Sequence, residues 1–527
     1  MPDAVVIGAG PNGLVAANVL ADRGWDVVVL EAQPTPGGAV KSAELVEPGF
    51  VNDVFSAFYP LGVASPVLRD LDLTAFGLRW MRAPLALAHP SSDGTCPVVS
   101  MDLDETAASL DRDTPGDGDG WRRLYGRWEH IGERLLDCVL SPFPPVRGSL
   151  RLLGTQRPSE LLELARFLTL SVRRLGDETF AGEEGRRLLA GCALHTDLFP
   201  ESAIGGMVGW LLAALGQQVG WPVPEGGAQR FTDALVARLE KAGGSIECSS
   251  PVASVVVRSG RAVAVSTAAG DEVDAARAVV ADVAAPALFL DLVGRDHLPG
   301  TFLDALRHFD WDHATVKVDW ALDGPIPWEA EDARRAGTVH VTEGVDALTV
   351  QAAQLALGLV PDPQFLIVGQ QGLADPSRAP AGKAAAWAYT HVPQQVRGDA
   401  GDSGITGRWD DAEAGAMADR MESEIEVLAP GFRSLVRGRH VHTPHSLEAA
   451  DANLVGGATN AGTGQLHQQL VFRPVPGLGR AETPVAGLFL GSASAHPGGG
   501  VHGACGANAA RAAILADRLR LRRTRRD

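Results

Sequence analysis

The stretch AVVIGAGPNGLVAANVLADRGWDVVVLEA, residues 4–32, constrains this chain more than any other. Residues 4–7 are a short apolar run that ends at Gly8, the pattern of a buried parallel strand. Leu14 to Arg23 has helical spacing and stops at Gly24, and Val27 to Leu30 reads as a second buried strand ending on Glu31. A Gly8-x-Gly10-x-x-Gly13 motif alone is weak. Here it follows a strand, opens a helix and is closed by an acidic residue 18 positions after Gly13. Gly8 permits the tight turn, Gly10 lets backbone approach a pyrophosphate, and Gly13 allows close helix–strand packing. The helix N-terminus offers unpaired N–H groups to phosphate, and Glu31 is suited to the adenosine ribose hydroxyls. Its carboxylate also disfavours a 2′-phosphate.

Three later features select FAD over NAD. Gly37-Gly38 forms a second glycine turn six residues past Glu31, with Lys41 following to neutralise phosphate. A strand at Val252 (PVASVVV) comes after a helix, a usual place for backbone contacts to adenine. The C-terminal GLFLGSASAHPGGGVHG returns a strand and a glycine loop to the same sheet, which an extended two-headed cofactor requires. The candidate cofactor-binding set therefore begins with Gly8, Ala9, Gly10, Pro11, Asn12 and Gly13. It continues with Glu31, Ala32, Gly37, Gly38, Ala39, Lys41 and Val252.

At 527 residues the chain exceeds what one core usually supports, so two or more domains are expected. The texture turns helical between about 105 and 220, with helices predicted over Trp121–Leu140 and Pro158–Leu175. Alternating strands follow at 316–322, 365–371 and 386–392, then a helix near 411–428. The expected organisation is an α/β protein of two domains. A discontinuous FAD-binding domain with a Rossmann-like parallel sheet takes 1–75, 221–300 and 440–527. A mixed-sheet and helical substrate domain takes 76–220 and 301–439. A net charge of −18 argues against nucleic acid as a partner. The basic C-terminal run, Arg518 to Arg526, reads as a solvated helix end. Five scattered cysteines with no CxxC pair indicate a reducing compartment and no metal site. With the first strand starting at residue 4 and no run of 18 apolar residues, a cytoplasmic location is expected. The leucine- and arginine-rich stretch 149–175, read as one helix, allows peripheral contact with a membrane.

Several segments resemble the phytoene desaturase-like FAD-dependent oxidoreductases, within the carotenoid desaturase and amine oxidase superfamily. The nearest branch is the pyridine nucleotide-disulphide oxidoreductase domain-containing relatives. The resemblance is carried by the N-terminal fingerprint, EAQPTPGGAVKSAEL, PGFVNDVFSAFYP, WPVPEGGAQRFTDAL, ADPSRAPAGKAAAWAYTHVP and LGSASAHPGGGVHGACGANAARAA. It implies an amine-oxidase-like two-domain architecture. It puts Gly491 and Ser492 near the ribitol and pyrophosphate, Gly499, Gly500, Val501 and His502 by the isoalloxazine edge, and Ser56 and Ala57 in the flavin pocket. Where relatives carry His before the proline of the SAxxP segment, this chain has Tyr59, so that histidine's proton role does not transfer.

The implied activity is a dehydrogenase or desaturase. Hydride passes from an apolar small-molecule C–H to flavin N5, a C=C bond forms, and oxygen or a quinone reoxidises the flavin. A route from nicotinamide through flavin to a disulfide is unsupported, since the sequence has no CxxxxC pair and no second nucleotide fingerprint. Candidate reacting residues are His496, His502 and Tyr59; the competing role for both histidines is to bond the cofactor or cap the last helix. Tyr389 is a candidate for the substrate channel, while His391 and His467 read as structural. Alternative functions are a flavin amine oxidase forming an imine, and a flavin-bearing interaction protein with little turnover.

Overall fold

A computed structural model of the chain describes residues 1–154 and 157–524. β1 (Ala4–Ile7), α1 (Pro11–Ala21) and β2 (Val27–Leu30) form the expected βαβ unit. Pro11 at the first turn of α1 costs nothing, because an N–H there would lack an intrahelical partner. β1 is the middle of a five-stranded parallel sheet ordered 488–490, 278–281, 4–7, 27–30, 245–247. Ala4 is level with both Val27 and Ala278, and the C-terminal strand joins beside Val279–Ala281.

Four of these strands are wholly buried, as expected for a parallel sheet covered on both faces. On one face α1 packs against the final helix, Ala504–Thr524, and against the helix Gln229–Lys241. The first contact is close enough that a Cβ on Gly506 would lie 1.9 Å from the Asn12 carbonyl oxygen. The other face is covered by Phe289, Phe302 and Val265, from the following helical turns and a three-stranded antiparallel sheet.

A second, seven-stranded mixed sheet runs 436–442, 314–322, 384–392, 366–369, 336–341, 85–88, 98–99. Period-two alternation divides its faces. Ala386 and Ala388 pack with Trp320 against the helix Asp411–Leu428. Trp387 and Ile367 turn to the other side, where helices between Leu103 and Val219, seven among the described residues, cover the sheet.

Within that region the predicted helix 158–175 divides into Pro158–Thr169 and Val172–Thr179. Leu170 turns extended (ψ 143°), and Ser171 caps the next helix by accepting the Arg174 N–H. The stretch 149–175 is therefore three short helices counting Val146–Leu153, not the single amphipathic helix expected; residues 155 and 156 lie outside the described set. No helix among the described residues is long and apolar enough to cross a membrane. The end of the basic C-terminal run, Arg525 and Arg526, also lies outside the described residues.

One buried ion cluster ties three of the quoted motifs together. Arg378 donates from Nη1 to both carboxylate oxygens of Asp53 (3.0 Å each), from Nε to Asp375 (2.8 Å) and from Nη2 to the Pro224 carbonyl (3.0 Å). Asp53 also accepts the Ala228 N–H, and Asp375 the Gly226 N–H, both at 2.7 Å. The segments around residues 53, 226 and 378 are thus joined across the boundary between the two sheets.

Candidate functional site: a dinucleotide cleft opening on a neutral cavity

At the carboxyl ends of the parallel strands lies a cleft with a volume of about 360 Å³, where ligands bind in open α/β sheets. Gly8, Gly10, Pro11 and Asn12 form one wall, with Glu31, Ala32, Gly38 and Ala39 beside them. Val252 lines one stretch of it, and Ser492, Gly500 and Val501 another. Gly8 has φ +91°, and a Cβ on Gly38 would sit 3.0 Å from the Gly10 Cα, so the two glycine turns meet backbone to backbone. Ala9, Gly13 and Gly37 frame the cleft from behind: Gly37 N–H donates to the Ala9 carbonyl at 2.9 Å. Glu31 accepts the Ala9 N–H (2.7 Å) through one oxygen and the Gln33 N–H (2.8 Å) through the other. Each carboxylate oxygen keeps a free lone pair for a ribose hydroxyl. Asn12 belongs to the cleft wall, and its buried Oδ1 has no partner among the described residues.

Three acidic residues that sequence reading missed also matter here or nearby. Asp282, one residue past the strand Ala278–Ala281, accepts the Gly13 N–H at 2.7 Å and so occupies the positive end of α1. Its place at a strand's carboxyl end was a usable signal. Asp451 lines the same cleft, and Asn453 donates to the Asp282 carbonyl (3.1 Å). Asp312, farther off, accepts the Thr459, Asn460 and Gly462 N–H groups. Burial pushes the Asp282 carboxyl up to about 7; the Gly13 N–H opposes this, and the Asp451 and Glu31 carboxylates add to it.

The sign of the consequence follows from linkage. Folded Asp282 holds its proton where the unfolded chain, with the ordinary value of 3.8, has lost it. Its contribution to stability therefore falls as pH rises from the ordinary carboxylate range to about 7, then levels off. Asp282→Asn removes that loss, so its melting temperature relative to wild type should climb through this window and plateau above it. A pH-independent difference between the two apo-proteins would refute the assignment.

A second cavity of about 230 Å³ adjoins the cleft, and Gly500 and Val501 line both. Ser56, Ala57, Tyr59 and Gly499 line it, as do Tyr389 and Trp387 from the second sheet. The Tyr59 hydroxyl is bonded to Ser56, 2.8 Å from Oγ and 2.9 Å from the carbonyl oxygen, and burial pushes it well above the usual phenol range. Gly499 leaves room for Asn460, whose Oδ1 would be 2.5 Å from a Cβ there.

Lys41, Gly491, His496 and His502 line neither space. Gly491 continues the sheet bonding to the Ala281 carbonyl (2.8 Å). His496 faces the Ser141 carbonyl at 3.0 Å, and His502 accepts the Ala504 N–H at 3.0 Å, which caps the final helix. Burial holds both imidazoles down to about 4. Both rings thus bond the surrounding framework in this geometry. The loop before them is held by Arg473, a residue sequence reading passed over. It is 1% exposed and donates to the carbonyls of Ala493, Thr463 and Asn460.

Comparison with known proteins gives the family and the fold. Residues 3–303 match the family model described as FAD dependent oxidoreductase. The chain is 30% identical to the rat (Rattus norvegicus) pyridine nucleotide-disulfide oxidoreductase domain-containing protein 2, over 96% of this chain and 92% of that protein. It is 26% identical to the all-trans-zeta-carotene desaturase of Myxococcus xanthus, over 94% and 90% of the two chains. Among solved structures, cyclohexylamine oxidase from Brevibacterium oxydans superposes with a TM-score of 0.57 at 16% identity, over 98% of this chain and 99% of that one, a likeness of fold.

Proposed function

The chain belongs to the FAD-dependent oxidoreductase family, and from that premise we propose that it is a dehydrogenase that introduces a C=C bond into an uncharged, largely apolar small molecule. FAD is its cofactor. When bound, FAD would supply at its flavin ring a two-electron acceptor for substrate hydride, while the hydrogen on the neighbouring carbon leaves as a proton to solvent. The Gly8–Gly13 turn and the N-terminus of α1 would hold the pyrophosphate, Glu31 the ribose, and Val252 the adenine. Ser492, Gly500 and Val501 would meet the other end of the cofactor. The paired glycine turns, which let backbone approach without a side chain, fit such a group.

The observation that carries the reading is the wall of the second cavity. It adjoins the cleft at Gly500 and Val501, and among the described residues its lining contains aromatic, aliphatic and neutral polar side chains but no Asp, Glu, Lys or Arg. An alkylammonium substrate would have to shed its hydration there without a carboxylate partner, whereas an apolar molecule gains from the same desolvation. Phe58, Trp387 and Tyr389 give flat faces against which a substrate is positioned, and positioning is the main demand of hydride removal from carbon. Reoxidation by oxygen or a quinone accords with the single nucleotide fingerprint and five unpaired cysteines.

The test is anaerobic mixing of the purified holoprotein with lipophilic alkenes and enone precursors on one side and primary amines on the other, following flavin bleaching. Bleaching by the uncharged compounds is expected. Bleaching by amines alone would overturn the reading. So would an inert flavin in a protein that co-purifies with a partner chain.

A further inference from the structure

Three histidines that the preceding sections leave unused stand in a row leading away from the second cavity. His195, just after the helix Glu183–Ala193, belongs to the cavity wall. Its Nε2 lies 2.8 Å from His340 Nε2, and His340 Nδ1 lies 3.0 Å from His89 Nε2. His340 and His89 are fully buried. Gly191 leaves the room they need, since a Cβ there would come within 2.4 Å of His89 Cε1 and 2.5 Å of His340 Nδ1. The row is neutral: burial first, then Arg187 and His195, hold His89 far below the usual imidazole range, and burial with His391 brings His195 down to about 3.

A neutral imidazole has one N–H, so three rings bonded in a row have only two arrangements. In one, the N–H groups run inward and end on His89 Nδ1–H, which is buried and meets no acceptor among the described residues. In the other they run outward, so His89 Nδ1 keeps a bare lone pair and His195 Nδ1 carries an N–H. Arg187 decides between them. It is 1% exposed, and it donates to the His89 and Glu343 carbonyls and to Thr95. No carboxylate pairs with it among the described residues; the Glu343 carboxylate is turned to Ser91 and Ser92. A buried positive charge at the His89 end favours the arrangement whose protons point away from it. The outward arrangement is therefore preferred; it leaves the outer N–H on His195 Nδ1, which no described residue bonds, on a ring that lines the cavity. The His195 ring itself is held edge to face against Trp221, 4.8 Å between centroids.

We infer that the His89–His340–His195 row is a pre-set hydrogen-bond donor that selects a substrate bearing a carbonyl oxygen, with His195 as the residue that holds it. A fixed N–H in a desolvated wall complements an atom that has lone pairs and no proton. A hydrocarbon of the same shape leaves that N–H unpaired and is rejected. This rests on the proposal above that the substrate is uncharged, and it narrows the class to lipophilic ketones, aldehydes and esters.

Carvone and limonene share a C10 skeleton and differ by one carbonyl oxygen, so they test the inference in the purified holoprotein. Binding is read from quenching of tryptophan fluorescence, since Trp221 and Trp387 line the cavity. The carbonyl stretching band of bound carvone is read by infrared difference. Wild type should bind carvone about tenfold or more tighter than limonene, with the carbonyl band shifted to lower frequency. His195→Phe keeps the aromatic packing and should abolish both the preference and the shift; His195→Gln retains an N–H donor and should restore part of each. Equal binding of the two compounds by wild type, or the same band in wild type and His195→Phe, would overturn the inference while leaving an uncharged substrate in place. Binding of cyclohexylamine with neither terpenoid bound would overturn both.

Discussion

Gly13→Ala is expected to yield a protein that retains no FAD and loses about 3 kcal/mol or more of stability. A Cβ at Gly13 would lie 2.1 Å from the Gly8 carbonyl oxygen and 3.1 Å from its carbonyl carbon. Those are backbone atoms, so no rotamer change relieves the collision; β1 and α1 must separate. Gly8 is itself pinned at φ +91° between the Leu30 carbonyl, which accepts its N–H at 2.8 Å, and Asp282. Separation also breaks the Gly13 N–H to Asp282 bond and opens the turn that would cradle the pyrophosphate. Gly24→Ala is the matched control: φ is +75° there, but nothing lies within 4 Å of the added carbon. Its cost is the left-handed backbone alone, about 1 kcal/mol, with the chromophore kept. Flavin released on denaturation, measured beside thermal unfolding, separates the two. A yellow Gly13→Ala protein that melts with wild type would refute the reading.

Arg378→Met should cost about 3–5 kcal/mol without touching either cavity. Arg378, Asp53 and Asp375 have side chains no more than 4% exposed, and truncating the guanidinium leaves two buried carboxylates without their shared cation. Arg378→Lys should recover only part of the loss, because one ammonium cannot reproduce the fork that bonds Asp53, Asp375 and the Pro224 carbonyl together. For contrast, Arg127 and Glu163 form a pair of similar length whose side chains are 31% and 66% exposed, and breaking it should cost about 0–1 kcal/mol. Chemical denaturation of the three variants ranks them. Equal midpoints for Arg378→Met and Arg127→Met would refute the clamp.

Much of this protein is written in local pattern. The strand–glycine–helix–strand run of residues 4–31, the Gly37-Gly38 turn and the strand returning at 488–490 are each recognisable because period, turn chemistry and helix stops act over a few residues. The alternation at 386–392 likewise marked a strand, observed over Ala384–Val392, whose Trp387 and Tyr389 line the cavity. Reading failed where a local pattern has two outcomes. The leucine-rich run 158–175 has one helical period throughout, yet Ser171 caps a new helix inside it. Histidines flanking a triple glycine look reactive, but the fold turns their rings to a carbonyl and a helix cap.

The sequence by itself determined the nucleotide-binding sheet, its glycine turns and the kind of cofactor they admit, because those depend on hydrophobic period and on backbone conformations that only glycine reaches easily. Tertiary structure alone decided which distant side chains meet. Asp282 reaches Gly13 across 269 residues, Arg378 reaches Asp53 across 325, and His340 reaches His89 across 251. Those pairings depend on strand order and on burial, which remove water from groups that look ordinary in sequence. Desolvation then does what no motif records: it raises one carboxyl and keeps a row of imidazoles neutral.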